Sequence, residues 1–228
     1  LCSFIMISFV KDGTRTDYHT NDFLINLFRS SISFIPNSEQ IVYLTINDKT
    51  YQELFQENQF NRKLFAEGLS KLKNYNPEAV IVDLIFAYPS DHSSDSCLIT
   101  RFNEFDKVYL PVSFSLQLKN KMFPMAHSEI TNSELNRFLD LPILLNHGNP
   151  FVAGRGMLTA ENFLQTASGS GHISDFPDID GIYRQSLLLI KTDTLYLPSL
   201  YFSAFLDNIN ISFNEIKIDW GSKIIIPS

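Results

Sequence analysis

The sequence predicts an α/β fold: a mixed sheet with a parallel core, helices packed on its faces, and antiparallel strands at the C-terminal end. Three observations lead there. IVYLTI (41–46) and AVIVDLIF (79–86) are continuous β-branched and apolar runs, the pattern of strands buried on both faces. Between them RKLFAEGLSKLKNY (62–75) places Leu64, Phe65, Leu69 and Leu72 at helical spacing, so the connection is long enough for a right-handed parallel crossover. ISFNEIKIDW (211–220) alternates in polarity and meets KIIIP (223–227) across a Gly-Ser turn, as an antiparallel pair would.

Each element can be placed in order. LCSFIMISFV (1–10) is apolar, but ten residues fall short of the roughly 20 that span a bilayer. It reads as an edge strand or as the outer end of a membrane helix. KDGTRTDYHT (11–20) is polar and turn-like. NDFLINLFRS (21–30) sets Phe23, Leu24, Leu27 and Phe28 on one helical face, with Asn21 or Asp22 as its cap. That face suits a core, or pairing of two chains through a helix over 21–31. The strand 41–46 and helix 62–75 follow, the latter stopped at Asn76-Pro77. After strand 79–86 comes a polar loop, then KVYLPVSF (107–114) as a third strand and a long loop over 115–132. SELNRFL (133–139) and TAENFLQTA (159–167) read as helices, the second with Thr159 at its N-cap. GIYRQSLLLI (181–190) and TLYLP (194–198) form a hairpin about Lys191-Thr192-Asp193, and SLYFSAFL (199–206) a further helix.

Composition narrows the function. The chain has 228 residues, enough for one large domain that buries roughly 70–75% of its unfolded surface. Twenty phenylalanines against one tryptophan predict a phenylalanine-rich core. A net charge of −7 with no basic stripe argues against nucleic acid as a partner. Cys2 and Cys97 make neither a disulfide framework nor a CxxC pair; a single bridge between them stays open. GRG (154–156) and GSG (169–171) lack the Lys-Ser/Thr of a phosphate loop, and neither GxSxG nor HExxH occurs. DHSSDSC (91–97) matches no metal-ligand spacing and reads as a solvated loop. No catalytic residue, metal ligand or cofactor is therefore assigned.

What remains is a set of charges. Asp48 and Asp83 follow the two buried strands, at the carboxyl edge where ligands of parallel sheets collect. Each also suits a solvated cap or turn. Asp178 and Asp180 precede Gly181 in a D-x-D-G spacing. An EF-hand would need Glu at the twelfth residue counted from Asp178, where Leu189 stands, so the stretch reads as a Pro-Asp-x-Asp-Gly turn. Arg62 and Arg184 have the charge to neutralise such carboxylates. Asp48, Arg62, Asp83, Asp178, Asp180 and Arg184 are thus expected to converge as a polar cluster, either a ligand pocket or a charge lock on the fold.

Several stretches resemble a known family from about Asp22 to Leu206. IVYLTINDKT (41–50) is similar to a strand ending in Ile-Asp-Asp/Glu-x-Ser, with Asn47 in place of the first acid. NQFNR (58–62) keeps Phe60 and Arg62 of an aromatic-Pro-aromatic-Pro-Arg pattern but lacks its prolines. AVIVDLIF matches an Asp-x-x-Phe strand through Asp83 and Phe86, and DKVYLP (106–111) resembles the next strand. GSGHISDFPDIDGIYRQSLLL (169–189) follows Gly-x-Gly-His/Phe then Pro-Asp-x-Asp-Gly-x-x-Arg, and LPSLYFSAFL (197–206) resembles the helix after it. The family is the second type of CHASE domain, the cyclases/histidine kinases associated sensory extracellular modules. The resemblance implies an extracytoplasmic sensor over 21–228 with a membrane-proximal segment over 1–20. It further implies flanking transmembrane helices, homodimers, an unknown small-molecule or environmental stimulus, and a cyclase or kinase output. Two other readings are set beside it: a ligand-free assembly module, and a metal-dependent hydrolase using Asp48, Asp83 and Asp178.

Overall fold

The computed structural model describes residues 41–56, 59–117, 134–177, 181–183 and 186–227. The chain divides into two units, Leu1–Asn47 with Pro177–Arg184, and Asp48–Phe176 with Gln185–Ser228. In the first unit, residues 41–47 form neither helix nor strand, and Ile41, Val42, Tyr43 and Leu44 are exposed. The strand expected over 41–46 is thus corrected. A β-branched run becomes a strand only where a neighbour completes its ladder, and none does so among the described residues. Gly181 has φ +81, the left-handed geometry that suits glycine in the expected turn. The elements expected over 1–10 and 21–31, and most of the loop over 115–132, lie outside the described residues.

The second unit opens with a short helix, Asp48–Leu54 (α1), and a minimal antiparallel pair, Phe55–Gln56 (β1) and Gln59–Phe60 (β2). Arg62–Lys73 (α2) starts where the Asn61 side chain accepts the Leu64 amide at 3.0 Å. The chain turns out of α2 through Asn76, at φ +48, just before Pro77. Val80–Ile81 (β3) is the regular part of the strand expected over 79–86. His92–Phe102 (α3) begins at Asp91, whose carboxylate accepts the Ser94 amide at 3.0 Å. Segment 91–97 is therefore the first turns of a helix and not the solvated loop expected. Its serines and aspartates are the residues that cap helix starts, and Leu98 and Phe102 carry its buried face.

Val108–Gln117 (β4) organises the sheet. It runs parallel to β3 along its first half, and parallel to Gly169–His172 on its other side. Between them in sequence come Ile143–Leu144 (β5), Val152–Met157 (β6), a one-turn helix Glu161–Leu164 (α4), and then that strand, Gly169–His172 (β7). The second half of β4 pairs antiparallel with β6. Leu189–Lys191 (β8) and Tyr196–Pro198 (β9) make the expected hairpin, shorter on its first arm, and β8 joins the sheet beside β6. Leu200–Asn208 (α5) is capped by Ser199. Ser212 and Glu215 then form a capping box that turns the chain, so the strand expected over 211–220 shrinks to Lys217–Asp219 (β10). β10 pairs antiparallel with Lys223–Ile225 (β11) across Gly221, and parallel with β5, making a second, small sheet.

Pro111 sits inside β4, where a proline removes a ladder donor. The register shows how it is tolerated. The carbonyls of Lys107 and Tyr109 accept from Val80 and Val82, whereas those of Val108 and Val112 accept from Ser168 and Ile173. Pro111 therefore faces the β3 side, beyond the point where β3 has ended. Its carbonyl is satisfied instead by the buried Thr159 hydroxyl at 2.7 Å. Thr159 thus spends its hydroxyl on β4; the helix expected over 159–167 starts at Glu161 after Ala160, with no side-chain cap. Thr159→Val should leave the Pro111 carbonyl unsatisfied and cost about 1–3 kcal/mol. A urea titration with a lower midpoint and an unchanged slope is the expected result.

The main core lies between this sheet and α2, α3 and α4. Phe86, Phe102 and Phe163 meet there, with ring centroids 5.2–6.3 Å apart. A second apolar cluster joins Phe202 and Leu206 of α5 to Ile216 and Ile218 by the small sheet. The far end of α5 is tied to β4, because Asp207 accepts the Tyr109 hydroxyl and sits 3.0 Å from Lys107 Nζ.

Candidate functional site

Because β3, β4 and β7 are parallel, their carboxyl ends open on one edge of the sheet. Asp83 lies just beyond β3, and Ile173, Ser174 and Asp175 just beyond β7. With His172, Ser186, Leu187, Ser199 and Tyr201 they line a cavity of about 170 Å³.

His172 is the last residue of β7 and is fully buried. Its Nδ1 accepts the Ser174 amide at 3.3 Å. Ser174 is itself fixed, since its Oγ accepts the Phe114 amide of β4 at 2.7 Å. An Nδ1 that accepts leaves the proton of the neutral ring on Nε2. That Nε2–H is buried and has no partner among the described residues. Burial lowers the His172 pKa to about 4, against a smaller opposing pull from Asp175.

The sign of the resulting pH dependence follows. The unfolded chain protonates this histidine near 6.5, the fold only near 4. Between those values the unfolded state holds more protons, so stability falls as pH drops through that window and the group adds no further loss below it. The loss attributable to His172 is about 3 kcal/mol. Melting curves from pH 7 to 4.5 should therefore be steeper in pH for the native chain than for His172→Gln; equal slopes would refute the assignment.

The acids of the cavity have different duties. Asp175 accepts the Leu187 amide at 2.7 Å and the Ser186 hydroxyl at 3.0 Å, closing the two ends of the Asp-rich segment onto each other. Asp83 is exposed and accepts the Tyr201 hydroxyl at 3.1 Å, its one hydrogen bond among the described residues. Ser199 caps α5 through the Phe202 amide. Gly171 lets the start of α5 lie against β7: a Cβ there would stand 2.5 Å from the Leu200 nitrogen.

Of the residues singled out in the sequence, the three that are described stand on separate segments. Asp48 is the exposed first residue of α1. Arg62 is buried and forms an ion pair with Asp95, donates to the Tyr88 carbonyl, and lies 5.1 and 5.7 Å from the Phe163 and Phe86 ring centres. Asp83 borders the cavity. No hydrogen bond or ion pair joins these three to one another among the described residues. Asp178, Asp180 and Arg184 lie outside the described residues. Among the described residues, no three His, Cys, Asp or Glu side chains gather as a metal site, and Cys97 is a free, half-buried thiol.

Sequence reasoning gave no site role to His172 or Asp95. The signal for His172 was its place after Gly-Ser-Gly at the end of an apolar strand's partner. The signal for Asp95 was its place four residues after the capping Asp91, on the face that continues through Leu98 and Phe102.

A family model described as the CHASE2 domain matches residues 1–226 of the chain. No curated protein and no solved structure matches it. No helix among the described residues is long and apolar enough to cross a membrane.

Proposed function

The chain belongs to the CHASE2 family of extracellular sensory domains, not catalytic in themselves, and from that premise we propose that it is the extracytoplasmic input module of a bacterial transmembrane receptor whose output is a nucleotide cyclase or a histidine kinase. The stimulus acts at the cavity by the carboxyl ends of β3 and β7. The observation that carries this reading is the cavity's place at the carboxyl edge of parallel strands, with Asp83, Ser174, Asp175, Ser186 and Ser199 among its lining residues.

Signalling follows from differential affinity. Two copies pair, the ligand favours one arrangement of the pair, and the flanking membrane helices carry the shift inward. The test is thermal unfolding of the chain against amino acids, organic acids, amines, sugars, nucleotides and divalent cations. At a hundred times its dissociation constant a ligand adds about 2.7 kcal/mol, which for a domain of this size raises the midpoint by roughly 5–10 °C. A saturable rise that is lost in Asp83→Asn supports the reading. No rise with any class moves the assignment to an assembly module that only pairs subunits.

A further inference from the structure

The outer face of the small sheet carries apolar side chains where a sheet with one buried face is expected to be polar. The register sets two rows across its three strands. Ile143 of β5, Lys217 of β10 and Ile225 of β11 form one row. Leu145, Asp219 and Lys223 form the next, since the Leu145 amide bonds the Ile218 carbonyl and Asp219 pairs with Lys223. The residues between the rows, Leu144, Ile218 and Ile224, point inward and pack with Phe202 and Leu206 of α5. Outside, Ile143, Leu145 and Ile225 are 46, 53 and 37% exposed, so apolar surface flanks the charged central strand on both sides.

This pattern is complementary to itself. A two-fold axis lying across the strands, between the rows, sets each row of one copy against the other row of a second copy. Ile143 then meets Leu145 of the second copy, and Lys217 meets its Asp219. Ile225 meets the aliphatic stem of its Lys223. Each contact occurs twice. Asp219 accepts from Asn146 Nδ2, and a carboxylate has acceptor capacity beyond one such bond. Face packing is favoured over edge pairing. The Ile143 and Leu145 amides are spent on Ile216 and Ile218, and Pro142, at the alternate position, has no N–H to offer a further strand. A lipid surface suits the face less than a second copy does, because the Asp219 carboxylate stands at its centre.

We infer that this face pairs two copies of the chain, through Ile143, Leu145 and Ile225 and through reciprocal Lys217–Asp219 ion pairs. The inference rests on the pairing step of the reading above and names the surface behind it. So few side chains bury less than the roughly 800 Å² per partner of a standard interface, and the pair is therefore weak in solution. Tethering both copies in one membrane raises their effective concentration and makes a weak contact sufficient.

The experiment is sedimentation equilibrium of the chain at concentrations up to about 1 mM, where a dissociation constant of roughly 0.1–1 mM is expected. Lys217→Glu sets like charges against each other at both ion pairs and should weaken association roughly tenfold or more. Leu145→Asp should do the same by placing a charge against Ile143 of the second copy. Lys71→Glu makes the same charge change at an exposed position of α2 and should leave association as it is. Melting midpoints near that of the native chain show that the variants fold. Association that neither Lys217→Glu nor Leu145→Asp weakens overturns the face and leaves pairing to another surface. A chain that stays monomeric throughout overturns the face and the pairing step together, whatever ligand the thermal screen finds. Monomers that sediment with phosphatidylcholine–phosphatidylglycerol vesicles, and cease to do so in Lys217→Glu, assign the face to lipid and overturn the inference.

Discussion

Asp95→Ala is expected to destabilise the domain by about 3–5 kcal/mol. Arg62 enters the core from the first position of α2, and Asp95 meets it from the first turn of α3. Both are buried, so the ion pair has exchanged water for each other, for the Tyr88 carbonyl, and for the Ser90 amide, which Asp95 accepts at 3.2 Å. The guanidinium also lies near the Phe86 and Phe163 rings. Removing the carboxylate strands a charge that cannot be deprotonated, among phenylalanines. Against a total stability of about 5–15 kcal/mol the loss is a large share. Arg62→Met with Asp95→Leu removes both charges and should recover most of it, since an apolar pair leaves nothing unpaired. A double-mutant cycle in urea, with the two single changes and the pair, reads the coupling directly. Singles and double that simply add would show that the two side chains do not act as a unit.

This pair explains why part of the site was legible in the sequence and part was not. Arg62 stood out because it has the charge to neutralise carboxylates and matches the arginine of the family pattern, but its partner lies 33 positions away, and nothing in local spacing names it. The helix that carries Asp95 was hidden by its own polar start: Asp91, Ser93 and Ser94 are solvated-loop residues by composition and capping residues by geometry. Strands came through well where their neighbours are in the fold, as for 107–114, now β4. They failed where they depend on a partner, as for 41–46, because an apolar run carries no record of whether its ladder is completed. Asp83 was placed correctly at the carboxyl edge by the parallel-sheet rule, since that edge is a consequence of topology. His172 was noted only within the Gly-x-Gly-His/Phe pattern and given no site role, because a lone histidine at the end of a strand has no spacing signature; only the three-dimensional closure of Ser174 onto β4 defines its tautomer.

Gly171→Ala is expected to cost about 3 kcal/mol or more, beyond most overpacking changes. The new Cβ would lie 2.5 Å from the Leu200 nitrogen, and 2.6 Å from Leu200 Cα and the Ser199 carbonyl carbon. These are backbone atoms at a helix start, so no rotamer relieves the clash. Neither side yields easily. Gly171 is held in register against Pro111 of β4, and α5 is pinned at its far end through Asp207 to Tyr109 and Lys107. The helix must lift at its N-terminus, carrying Ser199 and Tyr201 away from the cavity they line. Gly68 supplies the contrast. It is exposed within α2, and a Cβ there meets nothing within 4 Å. Gly68→Ala should therefore stabilise by roughly 0.5–1 kcal/mol through helix propensity. Melting the two variants side by side tests the argument, because the chemical change is the same. The midpoint should rise by roughly 1–4 °C for Gly68→Ala and fall by about 6 °C or more for Gly171→Ala. A Gly171→Ala midpoint equal to that of the native chain would mean that α5 is free to move off β7, and that glycine there serves chain flexibility instead of close packing.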